Sequence, residues 1–236
     1  MGYVETRMSV REEFDAWAEA GKDRGMEARH WATAKHALGR MPVEPGDAIL
    51  DLGTGSGYAL RVLRETKHAG RGYGLDGSPA MLRNARGYTA DSDVGFLGGD
   101  FDALPFATDS IDHVWSMEAF YYAQDPHRTL EEVRRVLRPG GTCYCAVNFF
   151  EESEHTHEWQ EAISVEMTLW NRAEYREAFR NAGLYVAGQD TIPDRDVEIP
   201  EPETFPTDDW ETREAMVDRY RTWGTLLTVG VAGERG

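Results

Sequence analysis

The chain has 236 residues, 41% of them hydrophobic, and a formal net charge of −17 at pH 7. That length suits one domain with some elaboration, and the charge leaves no basic face for nucleic-acid phosphates. No apolar run reaches the roughly 18 residues of a membrane span, and residues 1–11 lack the apolar core of a secretory signal.

Lysine occurs only at Lys22, Lys35 and Lys67; the other 22 of the 25 basic residues are arginine. Acid-rich, lysine-poor surfaces resemble those of proteins from salt-loving organisms, where self-repulsion is screened. Cys143 and Cys145 are two apart in an expected strand. They share a face and are badly placed to bridge, which predicts reduced thiols and a cytoplasmic protein.

Ser9 and Glu12 form a capping-box pattern that predicts a helix to about residue 20, burying Phe14 and Trp17 and stopping at Gly21. A second helix is predicted over 26–39, with Trp31, Ala34 and Leu38 on one side. Trp31 is assigned to the core or to the substrate pocket.

Residues 48–52 are a short apolar run carrying Asp51, the pattern of a buried parallel strand. Gly53, Gly55 and Gly57 alternate behind it, and a helical pattern follows. Strand, glycine turn and helix make the ligand loop of a doubly wound sheet. The pattern is D-x-G-x-G-x-G, with Tyr58 where a dinucleotide fingerprint has its third glycine, and no P-loop Lys-Ser/Thr pair follows. The second strand ends at Asp76, 21 residues after Gly55, where an acid can accept from ribose hydroxyls. As a group at a loop end, Asp76 is expected to matter little for stability.

A third short strand leads to Asp100-Phe101-Asp102-Ala103-Leu104-Pro105-Phe106. The fourth runs into Met117, Glu118, Tyr121 and Tyr122, at the carboxyl edge where parallel sheets bind ligands. Asp125-Pro126 starts a helix that ends at Arg138-Pro139-Gly140-Gly141, and the fifth strand is predicted over 142–150. His155 and His157 lie in an acid-flanked loop, and no further His/Cys cluster supports a metal. Asn171 and Glu174 start a further helix to residue 182, followed by a strand over 184–188 and an acidic, proline-bearing loop over 196–209. A helix over 210–223 and an antiparallel edge strand over 226–231 close the chain.

The glycine loop resembles motif I of the class I S-adenosylmethionine-dependent methyltransferases. The D-F-D-A-L-P-F run resembles that family's adenine-reading segment, and the L-R-P-G-G junction is also similar. The S-M-E-A-F-Y-Y run after strand four resembles the small-molecule branch that includes the quinone-biosynthesis C-methyltransferases. Resemblance covers residues 44–150 with specific motifs and the remainder only in layout.

The resemblance implies an α/β fold: a Rossmann-like, doubly wound, seven-stranded and mostly parallel sheet with an antiparallel last strand. It implies one domain, with an N-terminal helical lid (1–43), a cofactor-binding core (44–150), and a substrate-side insertion with sheet completion (151–236). S-adenosyl-L-methionine is the implied cofactor. Asp51, Gly53, Thr54, Gly55 and Gly57 would hold its methionine part, and Asp76 with Gly77 its ribose. Asp100, Phe101 and Met81 would hold its adenine, and Met117 would face the methyl group.

The expected partner is a small-molecule acceptor in a pocket that includes Trp31, Tyr121 and Tyr122; nucleic acid is not expected as partner, and the oligomeric state is left open. If the acceptor needs deprotonation, Glu118, Tyr121, His155 and His30 are the candidates. An NAD-dependent oxidoreductase and a cofactor-binding regulator without transfer activity stay open as alternatives.

Overall fold

The computed structural model describes residues 9–163 and 165–234; the reading made of residues 1–8 lies outside them. Two helices come first, α1 (Val10–Glu19) and α2 (Asp23–Arg40). Then follow β1 (Ile49–Leu52), α3 (Tyr58–Lys67), β2 (Gly72–Asp76), α4 (Pro79–Tyr88), β3 (Val94–Gly98) and β4 (Ile111–Met117). The chain continues through α5 (Pro126–Val136), β5 (Leu137–Val147), the short α6 (Trp159–Ala162) and α7 (Arg172–Asn181). It ends in β6 (Leu184–Ile192), α8 (Arg213–Val217) and β7 (Thr225–Ala232).

The seven strands of the described residues form one sheet in the order β3-β2-β1-β4-β5-β7-β6. Strands β1 to β5 pair in parallel, and β7 runs antiparallel to both β5 and β6. This is the expected doubly wound, mostly parallel sheet. One position differs: β7 is an interior strand, and the edges are β3 and β6. Burial explains it, since Thr225, Leu226, Leu227 and Thr228 are buried in succession, as a strand covered on both faces requires. In β6 only the two end residues, Leu184 and Ile192, are buried.

Both predicted capping boxes form. Ser9 Oγ accepts from Glu12 N while the Glu12 carboxylate accepts from Ser9 N, and Asn171 with Glu174 repeats the pattern at α7. Helix α2 starts at Asp23, earlier than predicted, and β5 starts at Leu137, so the R-P-G-G turn lies within its span. Gly141 is required there, because a Cβ would sit 2.7 Å from the Asp112 carbonyl oxygen.

One core packs α5 and α7 against one sheet face through Val133, Tyr175 and Phe179; the other packs α2 and α3 through Ala34, Leu38 and Leu60. Trp31 belongs to neither and is 39% exposed. The 31/34/38 stripe gives the inward face of α2 but not how far along the helix its cover extends. Among the described residues, no helix is long and apolar enough to cross a membrane.

Candidate functional site

The site is built where β1, β2 and β4 end side by side. Gly53 N and Thr54 N both donate to the Leu75 carbonyl, at 2.8 and 3.1 Å, which fastens the glycine loop to the end of β2. Gly53, Gly55 and Gly57 all have positive φ, at 72°, 49° and 76°. At Gly53 the reason is close approach as well: a Cβ there would lie 2.2 Å from the Cβ of Ala119. The glycine loop and the turn after β4 are therefore in contact. Gly55 and Gly77 have open space where a Cβ would go, so bare main chain faces the cavity at both.

Asp51 lies under the loop, 3% exposed, and accepts from Thr54 Oγ1 at 2.8 Å. Burial pushes its carboxyl up to about 7; the Thr54 bond opposes this and the Asp76 charge adds to it. Asp76 accepts from Gly55 N and from Ser78 N, each at 2.9 Å. Its carboxyl is raised by burial, against the pull of those two bonds.

A cavity of about 1140 Å³ opens over this loop. Gly53, Thr54, Gly55, Asp76 and Gly77 line one end, with Met81, Asp100 and Phe101 beside them. Met117, Glu118 and Tyr122 line the other end, together with His30 and the 165–168 segment. Gly57 is not at the cavity wall; its Cβ position is taken by the Phe96 ring, 2.8 Å away. Tyr121 stands behind Tyr122, 3% exposed, with ring centroids 4.6 Å apart. Trp31 and His155 do not line the cavity; His155 lies 3.7 Å from Asp218, and its ring is tilted against Trp210 with centroids 5.7 Å apart.

Glu118 has φ 52°, a left-handed conformation that costs a non-glycine residue energy and marks sites where surroundings impose it. Its backbone N–H donates to the Ala146 carbonyl at 2.9 Å, holding the turn to β5. One carboxylate oxygen accepts from Asn148 N and the other from the Tyr121 hydroxyl, the latter at 3.1 Å. Burial pushes the group up to about 7 against those bonds and the charges of Arg219 and Arg29. His30 is pushed down to about 4 by burial, with the Arg29 charge adding, so it is neutral at pH 7.

Several residues that shape this site carry no sequence signal. Asp15 of α1 accepts from Ser78 Oγ at 2.6 Å and Ala80 N at 2.9 Å, capping α4 from a distance. Glu27 of α2 accepts from Ser56 Oγ and from Arg61, each at 2.8 Å, which ties α2 to the glycine loop. These partners are 29 to 65 residues apart, beyond any local spacing. Tyr58 stands out only as a departure from the dinucleotide pattern, yet it lines the cavity with a hydroxyl that has no hydrogen-bond partner. Among the described residues, no three His, Cys, Asp or Glu side chains are grouped to hold a metal ion.

A family model described as a methyltransferase domain matches residues 50–145. Malonyl-[acyl-carrier protein] O-methyltransferase 1 of Coxiella burnetii is 38% identical over 93 residues, 39% of this chain and 30% of that protein. The chloroplastic 2-methyl-6-phytyl-1,4-hydroquinone methyltransferase 2 of Oryza sativa is 31% identical over 150 residues, 60% of this chain and 42% of that one. These matches thus span less than half of the curated relatives' own length.

A solved structure covers the chain far more fully. It is a complex of the Haloferax volcanii Trm112 methyltransferase activator with a protein assigned provisionally as a methyltransferase. The similarity is 71% identity and a TM-score of 0.94, over 96% of this chain and 100% of that one. This corrects the expected partners, which left out any protein subunit: a relative this similar is held by an activator protein. Sequence gave no warning, because such interfaces are on the whole no more apolar than other surface. The glycine loop with open main chain, the acid at the end of β2 and the acidic cavity suit a cationic nucleoside cofactor, and the chain belongs to the class I S-adenosylmethionine-dependent methyltransferases.

Proposed function

We propose that the chain moves the methyl group of S-adenosylmethionine onto an acceptor of small-molecule size, and that it works beside an activator subunit of the Trm112 kind. The observation that carries this reading is one continuous cavity over the glycine loop. At about 1140 Å³ it exceeds the ~300–1,000 Å³ of an ordinary ligand pocket, so cofactor and acceptor have room together.

In this reading Gly53, Thr54 and Gly55 wrap the methionine part, Gly57 shapes the turn behind them, and Asp51 draws the amino group from under the loop. Asp76 keeps free lone pairs for the ribose hydroxyls beside Gly77. Asp100 accepts from the adenine amine, the Phe101 N–H donates to the ring, and Met81 packs against it. Met117 and Tyr122 border the methyl group, and α1 with α2 forms the lid. The sulfonium is a good leaving group, so the chain's main task is orientation, which contributes about 7–11 kcal/mol in well-aligned reactions. The activator subunit rests on the 71% identical relative in its complex. Two buried free thiols, Cys143 and Cys145, fit a reducing cytoplasmic setting.

Calorimetry tests the reading. S-adenosylmethionine and S-adenosylhomocysteine are expected to bind and NAD not to; NAD binding without S-adenosylmethionine binding overturns it. Co-expression with a Trm112-type protein is expected to give a stable complex with raised turnover. A chain that stays separate and equally active removes the subunit from the proposal.

The charge of −17 and the three lysines support adaptation to high salt. The melting temperature is expected to rise between about 0.1 M and 2 M KCl, as the Debye length shrinks from ~10 Å to less than ~3 Å. A flat or falling curve returns the protein to the ordinary acidic class.

A further inference from the structure

The lining of the cavity is lopsided in charge. Seven carboxylate residues reach it, and Arg11 is the one lysine or arginine among the described lining residues. Asp76 and Asp100 serve the cofactor in the reading above, and Glu27 is paired with Arg61. Of the remaining four, Asp23, Asp102, Glu118 and Glu166, the last two line the acceptor end, and the Tyr122 and Phe14 rings line the cavity as well. Those two rings meet edge to face, centroids 5.1 Å apart.

Two polar side chains at the cavity each have one buried atom without a hydrogen-bond partner. Tyr58 is 9% exposed, and its hydroxyl makes no hydrogen bond. Asp23 is 2% exposed, and Asn84 donates to its Oδ2 while Oδ1 has no partner. Buried polar atoms left unpaired are costly and point to a ligand that pairs them. Tyr58 feels the charges of Asp51, Glu118 and Glu27 together, so its oxygen sits among carboxylates. A carboxylate or phosphate headgroup would meet repulsion here. A cation meets attraction, and aromatic faces add to it.

We propose that the acceptor methylated in this cavity is an amine, held as its ammonium by the Glu118 carboxylate, which takes the proton that must leave nitrogen before transfer. The proposal rests on the methyltransferase reading and deepens it. The steps balance as follows. An N–H proton of the ammonium passes to a Glu118 oxygen, and the freed lone pair forms the N–CH₃ bond. The S–CH₃ bond breaks with its electron pair left on sulfur, so the positive charge passes from sulfonium to methylammonium. The Glu118 proton then leaves to water as the products depart.

The strained backbone at Glu118 and its two hydrogen bonds fix where the carboxylate lies. The groups that feel its charge come from every side. They are Tyr121 and Tyr122 on its own turn, Tyr58 of α3, Cys145 of β5 and Tyr175 of α7. Arg29 of α2 and Arg219, in the π-helical segment Asp218–Trp223 that continues α8, oppose its protonation. None of the tyrosines or the cysteine titrates near neutrality, because burial raises each of them. Glu118 is pushed up to about 7, as is Asp51 under the loop, and Glu118→Gln separates the two.

The test uses three probes of one shape: 2-phenylethylamine, 2-phenylethanol and 3-phenylpropionate. Each is titrated calorimetrically into the full chain, with any activator it carries, loaded with S-adenosylhomocysteine. The amine is expected to bind at least tenfold more tightly than either of the others at pH 8. Its affinity is expected to weaken as the pH falls through about 7, where Glu118 gains a proton. In Glu118→Gln the amine should lose at least tenfold and its pH dependence, while S-adenosylhomocysteine affinity stays within threefold.

An amine that binds no better than the alcohol overturns the proposal on the unaltered protein, whether or not the variant folds. A parallel loss of S-adenosylhomocysteine binding in the variant also overturns it, by assigning Glu118 to the cofactor. A protein that binds no S-adenosylhomocysteine at all fails the methyltransferase reading instead, which is a separate result.

Discussion

Gly53→Ala is expected to cost about 2–5 kcal/mol of stability and to lower turnover roughly a hundredfold or more. Two effects add. The residue holds φ 72°, which costs an L side chain about 1–2 kcal/mol. The new methyl would also lie 2.2 Å from the Ala119 Cβ, an overlap that side-chain rotation cannot relieve, and overpacking of that kind costs about 1–3 kcal/mol. The loop must move away from β4, and a 1 Å shift of reacting groups is enough for a loss of about 10²-fold. At roughly 2–4 °C per kcal/mol for a chain of this size, the melting temperature should fall by about 5–20 °C.

Gly55→Ala is the control. Its φ is 49°, but nothing lies within 4 Å of its Cβ position, so only the backbone cost of about 1–2 kcal/mol applies. Thermal melts and single-turnover rates of the two variants decide the matter. Equal losses in both would show that Ala119 yields and that contact between the two turns is unimportant.

Asp76→Ala is expected to weaken S-adenosylmethionine binding by about 1.5–3 kcal/mol, roughly 10- to 150-fold, through lost charge-assisted bonds to the ribose. It is also expected to lower stability, contrary to what its position at a loop end suggests. Both carboxylate oxygens accept main-chain N–H groups, from Gly55 and from Ser78. Each donor left unpaired when buried costs about 1–3 kcal/mol. Asp76→Asn separates the roles, since its one remaining oxygen can keep one of the two N–H bonds. Calorimetry and melting on both variants should show affinity lost in each and a smaller loss of stability in the asparagine form, which keeps one of the two bonds. Unchanged affinity in Asp76→Ala would remove the ribose role.

The parts legible in the sequence are those whose causes are local. The glycine spacing after Asp51, the caps at Ser9, Asp125 and Asn171, and the acid 21 residues after Gly55 depend on neighbours along the chain. So do the parallel strands β1 to β5, whose apolar runs are bounded by turns. The parts that were not legible depend on what lies across space. Trp31 sits on the predicted face of α2 but beyond its cover. The interior position of β7 follows from both faces being covered, which its order in the chain does not reveal. Asp15, Glu27 and the unpaired Tyr58 hydroxyl matter because folding brings α1, α2 and the loop to one cavity. The activator held by the 71% identical relative corresponds to no apolar excess that composition could reveal.

The interior position of β7 also bears on how the chain is made. A ribosome delivers β5 first, then β6, and residues 225–232 only after both. Until then β6 has no strand to pair with, because among the described residues its neighbour is β7 alone, and β5 carries an open edge toward the gap. Synthesis at about 5–20 residues per second puts β7 some seconds behind the completed parallel half. During that interval the nascent sheet shows unpaired N–H and C=O groups along β5, a template for pairing with other chains. Closure is thus a late insertion of one strand between two waiting ones, and premature termination anywhere before Thr225 leaves a half-sheet that cannot protect itself.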